Sequence, residues 1–122
     1  LFSLQEAPLP ENSMTSLIIA NLEKLLGGPR DGALLRYSLG NEWLKAGDPA
    51  RAIDHLRIAI AGDPKHSASW KLLGRALAAS GDEPAALAAY QQGIAAAQAH
   101  GDIQAAKEMT VFAKRLSKPS AS

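Results

Sequence analysis

The chain has 122 residues, 13 basic and 12 acidic, with a formal charge of +1; 47% of it is hydrophobic but only 5% aromatic. That is one domain's worth of chain, without the basic excess that marks a nucleic-acid binder. It holds no cysteine, which excludes disulfides and thiolate chemistry, and no apolar run approaches the ~18–20 residues that span a bilayer.

The opening LFSLQEAPLP lacks the basic start and long apolar core of a secretory signal, so the default reading is a soluble cytoplasmic protein. Residues 1–14 carry two prolines and no sustained periodicity, and read as a disordered or extended leader. Met14 is one candidate start of the native chain. The other reading is a genuine tail whose Phe2, Leu4 and Leu9 dock on a groove. Thr15 or Ser16 can cap a helix over 16–26 with Ile18, Leu22, Leu25 and Leu26 as its apolar stripe. Gly27-Gly28-Pro29 ends it. No Gly-Lys-Ser/Thr follows GGPRDG, so it reads as a linker and not a phosphate loop.

From Ala33 to His100 the sequence looks like one unit written twice. An offset of 34 superimposes Leu39 on Leu73, Gly40 on Gly74, Gly47-Asp48 on Gly81-Asp82, and Ala52 on Ala86. Such a period marks stacked helical repeats. In each copy a helix ends at a glycine, and the aspartate after it caps the next helix. Pro49 stands at a first helical position, where a missing N–H costs nothing. Gly101-Asp102 punctuates again before a last helix that runs to about Leu116, and 117–122 reads as a flexible tail. A mid-helix glycine costs about 1 kcal/mol against alanine. Gly40 and Gly74 therefore predict a tight antiparallel crossing, with small Ala52, Ala59, Ala86 and Gly93 facing them.

The two copies, 33–66 and 67–100, resemble tetratricopeptide repeats. The resemblance rests on Trp70-x-x-Leu73-Gly74, on Leu77, and on the small residues Ala52 and Ala86. Leu56 and Tyr90 match the family's large position, Ala59 and Gly93 its next small one, and Pro64 its closing proline. Arg36 departs from the tryptophan-like position, Trp43 from the usual tyrosine and Gln98 from the second closing proline. In a third register Lys107 and Glu108 stand where Leu and Gly would be, so 102–116 reads as a capping helix. Ile18, Leu22 and Leu25 precede Ala52, Leu56 and Ala59 by one period, like the second half of an incomplete repeat. The resemblance implies an all-α, short right-handed superhelix of antiparallel helix pairs over 15–116.

No nucleophile, base and pocket converge in the sequence, and no His, Asp and Glu share a metal-ligand spacing, so neither an enzyme nor a cofactor is expected. The resemblance implies instead a protein-interaction module whose first helices line a concave groove. Its groove-facing positions are Leu34, Tyr37, Asn41, Leu44 and Lys45 in the first copy, and Ala68, Lys71, Arg75, Ala78 and Ala79 in the second. The last helix adds Ala105, Met109 and Phe112. The candidate peptide contacts are thus Tyr37, Asn41, Leu44, Lys45, Lys71, Arg75, Met109 and Phe112: donors for a backbone or carboxylate, and a shallow apolar patch. Two bland readings stand beside this: the bases as a solvated face, and Met109 and Phe112 as packing for the cap. Tyr37 sits where the family's carboxylate-clamp members have their first lysine, which argues against binding of chaperone tails. The expected partner is a protein or peptide, with no nucleic acid, membrane or small-molecule substrate. The alternative is a self-associating scaffold subunit, such as a homodimer.

Overall fold

The structure, a computed structural model, describes residues 10–117. Six helices follow one another: α1 (Pro10–Glu23), α2 (Ala33–Lys45), α3 (Pro49–Gly62), α4 (Ser67–Ala79), α5 (Glu83–Ala99) and α6 (Ile103–Ser117). The described residues contain no strand. Each helix packs on the next; α2 also touches α4, and α4 touches α6, whereas α3 and α5 do not meet. The result is an all-α solenoid with a continuous inner layer, α2, α4 and α6, and its second helices splayed outside.

The turns are built by one local device used three times. Gly47, Gly81 and Gly101 adopt φ of 83°, 90° and 74°, a conformation that costs a side-chain-bearing residue about 1–2 kcal/mol. The next N–H then reaches back over the helix end: Asp48 to Trp43 O, Asp82 to Leu77 O, and Asp102 to Ala97 O. The aspartate carboxylates accept from Arg51, Ala85 and Ala105 N–H at 3.1, 3.2 and 3.1 Å, capping α3, α5 and α6. Each cap contributes on the order of 1 kcal/mol.

The crossings of paired helices differ from the expected small-on-small contact. A methyl group at Gly40 would stand 2.5 Å from Leu56 Cγ, and one at Gly74 would lie within 2.7 Å of the Tyr90 ring. Each glycine is a socket for the large residue of the partner helix, and Leu56 is fully buried there. Gly93 is a different joint. Its missing side chain makes room for Trp70 on α4 and Met109 on α6, whose nearest atoms would lie 2.8 and 2.5 Å from a methyl.

Two expectations about α1 are corrected. The helix begins at Pro10, so Thr15 and Ser16 lie inside it and Pro10–Ser13 are helical, not extended. Proline at a first helical position removes no bond, so nothing in that stretch opposes the helix. The buried residue of its stripe is Ile19, 5% exposed, whereas Ile18 is 40% exposed. Ile19 packs with Leu35 and Leu39 of α2, and Leu22, Leu25 and Leu26 close the cluster. Ile18 occupies the face that Ala52 turns to its own first helix, and α1 has no such helix before it. The readings for 1–9 and for 118–122 lie outside the described residues; Ser117 belongs to α6.

Replacing Gly74 with alanine should lower stability by about 1–3 kcal/mol, an overpacking cost, measured by urea unfolding. The same change in a Tyr90→Ala background should cost much less, because the socket is then empty.

Candidate interaction groove

The inner layer turns α2, α4 and α6 side by side, which places their uncovered faces on one surface. Asn41, Leu44 and Lys45 of α2 and Arg75 of α4 line a recess of about 140 Å³. Four of the eight candidate contacts therefore come together. Lys45 is exposed and reaches Glu42 at 3.4 Å, one helical turn away. Arg75 is exposed and makes no salt bridge in the structure. An amide, two cations and the edge of a leucine in one shallow recess suit a carboxylate or a peptide backbone.

The other four candidates are placed elsewhere. Tyr37 stands edge-on to His66, with ring centroids 5.0 Å apart, at the joint between the repeats. His66 Nδ1 in turn lies 2.7 Å from the buried Ser69 hydroxyl. Lys71 Nζ donates to Glu108 Oε1 of α6 at 2.8 Å, so it tethers α4 to α6. That bond holds the Glu108 carboxyl below the usual carboxylate range, with Gln104 helping. Met109 is fully buried and Phe112 packs on the Tyr90 ring at 5.5 Å. Neither lines the groove, which corrects the expectation for both.

The reason is a change of register. α2 and α4 begin 34 residues apart, at Ala33 and Ser67, but α6 begins at Ile103, 36 after Ser67. α5 has 17 residues against 14 in α3, and only part of this is recovered in a shorter link. Counted from the helix start, Met109 is the seventh residue, equivalent to the buried Leu39 and Leu73. The groove-facing positions of α6 become Gln104, Lys107, Val111, Lys114 and Arg115, all exposed. Counting from the Asp102 cap, instead of carrying the 34-residue period forward, would have found them.

A second polar cluster, unread in the sequence, braces the link before α2. Asp31 accepts from Arg36 Nε and Nη2 at 2.9 and 3.0 Å and from the Gly27 N–H at 2.9 Å. Arg36 chiefly, and then the Gly27 amide, lower the Asp31 pKa. Arg36 thus explains its departure from the tryptophan-like position: it ties its helix to the preceding turn. Trp70 does the same in the second copy, its Nε1–H donating to Pro64 O at 2.8 Å. Arg36 Nη1 also faces His55 Nδ1 at 3.4 Å. A guanidinium only donates, so Nδ1 must accept and the imidazole is neutral. Burial first, then Arg36, hold the His55 pKa below its ordinary value; Glu23, Asp54 and Asp31 oppose this. His55, Glu23 and Asp54 line an open recess of about 560 Å³ with Trp43 and Arg51.

A depressed histidine pKa has a signed consequence. The unfolded chain takes up its proton near pH ~6.5 while the folded chain still resists, so His55 supports the fold fully above that pH. The support is lost as pH falls through the lower folded value. Urea unfolding at about pH 7.5 and 5.5 should show a drop that shrinks in His55→Gln, whose amide oxygen accepts from Arg36 at either pH.

With this geometry in hand, comparisons with known proteins are specific. Residues 37–102 match the family model described as tetratricopeptide repeat. A TPR repeat-containing protein of Pseudomonas aeruginosa is 52% identical over 100 residues, covering 82% of this chain and 95% of that protein. The solution structure of a Bordetella parapertussis protein superposes with a TM-score of 0.72 at 41% identity, over 81% of this chain and 86% of the other. The TPR domain of Sgt2 from Aspergillus fumigatus shares the fold, with a TM-score of 0.68 at 21% identity over 99% and 93% of the two chains. The glycine sockets, the Gly-Asp joints and these likenesses agree: the chain belongs to the tetratricopeptide repeat family.

Proposed function

We propose that the chain binds an extended segment of a partner protein across its inner layer, gripping a carboxylate or backbone carbonyl in the recess at Asn41, Leu44, Lys45 and Arg75. Tetratricopeptide domains mediate protein–protein interaction and are a non-catalytic fold. The observation that carries the finer reading is the recess itself, which collects donors from two successive first helices beside an apolar edge. Donors that are not committed to internal bonds are available to a ligand, and Arg75 makes no internal ion pair while Lys45 has only a long, exposed one. Such a recess orients a segment; its affinity comes from contacts on either side.

The apolar face of α1 favours a second reading, self-association. Met14, Leu17 and Ile18 are exposed at helical spacing on its outer side. Leu17→Lys would leave the α1–α2 contact intact and abolish any dimer seen by analytical ultracentrifugation. A monomer at every concentration removes this reading.

The groove reading is tested by affinity capture from the native cell. The Lys45→Glu, Arg75→Glu double variant should lose the captured partner at least tenfold while its circular dichroism stays that of the parent. Equal capture by parent and variant sinks the recess.

A further inference from the structure

The near-neutral total charge hides a strong segregation. In α2, α4 and α6 there are seven basic residues and two acidic ones, Glu42 and Glu108. The remaining acids of the described residues serve mainly as caps and turn braces: Asp48, Asp82 and Asp102 at helix starts, Asp31 and Asp63 in links. Arg36 is turned away to Asp31. The other six bases, Lys45, Lys71, Arg75, Lys107, Lys114 and Arg115, occupy groove-facing positions of the three first helices.

Within that strip stands one outward carboxylate. Glu108 is 40% exposed by its side chain, sits between α4 and α6, and takes the Lys71 ammonium at 2.8 Å. Glu42 is buried under Lys45 and presents no anion to the surface. A cationic strip with low-dielectric walls attracts anions and selects acidic partners mainly through the encounter rate and register.

We propose that the partner segment is acidic and that Glu108 is its resident stand-in, holding Lys71 until an incoming carboxylate displaces it. This rests on the groove reading above and deepens it. Neighbouring helices lie 8–10 Å apart, so crossing all three takes ~20 Å, or about six residues of extended chain. Displacing Glu108 is cheap, because an exposed pair of this kind is worth little in water. The stand-in therefore tunes affinity and does not block the groove. An apolar or basic segment has nothing to exchange with Glu108, so the same residue discriminates against it.

The test uses fluorescein-labelled hexaglutamate and fluorescence anisotropy at low salt. The parent should bind it, with affinity falling steeply as salt rises. Glu108→Gln should bind about two- to fivefold more tightly, since the competing pair is gone. Lys107→Glu with Lys114→Glu should bind at least about tenfold more weakly. Arg57→Glu, on the outer face of α3, should match the parent; circular dichroism reports the fold of each variant. Failure of the parent to bind hexaglutamate overturns the acidic assignment. Tighter binding of hexathymidylate than of hexaglutamate overturns the choice of a protein segment over a nucleic acid. Unchanged affinity in Glu108→Gln overturns the stand-in. If Arg75→Glu weakens binding but the Lys107, Lys114 reversal does not, the strip fails while the recess stands. If Arg57→Glu is as damaging as the groove variants, the groove reading itself falls.

Discussion

The seating of Leu56 over Gly40 and of Tyr90 over Gly74 is the constraint on which the rest of the structure depends. Each brings one outer helix onto its inner partner more closely than any side chain at the glycine would allow. The cost of a helical glycine, about 1 kcal/mol each, is offset by burying a leucine and a tyrosine, roughly 1.5–3 kcal/mol for a residue of the leucine class. Because the outer helices are drawn against single inner helices, they stay apart from one another, while the inner helices touch. That difference between layers bends the array and leaves one face of α2, α4 and α6 uncovered.

Electrostatics follow from the same division of labour. Acidic side chains are consumed where helices begin, since a carboxylate accepts the free N–H groups there and sits well with the helix dipole. The bases have no equivalent task inside the fold, apart from Arg36, which is held by Asp31. They collect on the uncovered face. Lys71 and Glu108 then act twice, as a strut between successive inner helices and as part of the surface a partner would meet.

How much of this was legible in the sequence depends on whether a feature is local. The Gly-Asp joints, the helix pairs and the family were legible, because each is written in adjacent residues or in the 34-residue period. The groove was half legible: Asn41, Leu44, Lys45 and Arg75 fall in copies that keep the period. Met109 and Phe112 were misplaced because the longer α5 shifts α6 by two residues, enough to turn a helix by about half a revolution. The choice of Ile18 over Ile19 failed for another reason. Both are apolar neighbours, and only the absence of a preceding helix decides which one is covered. The Asp31–Arg36–His55 cluster joins a link, α2 and α3, and no spacing rule announces such a contact.

Thr110 is the eighth residue of α6, the place held by Gly40 in α2 and Gly74 in α4. Its hydroxyl donates back to Ala106 O at 2.7 Å, so the side chain is anchored against its own helix. Whatever follows Ser117 in any longer polypeptide, a helix could not settle on α6 as α3 settles on α2. The array is thus directional in its capacity to grow. Copies of the repeat inserted ahead of α6 would meet glycine sockets and propagate the solenoid, whereas copies appended after it would meet a threonine and stall.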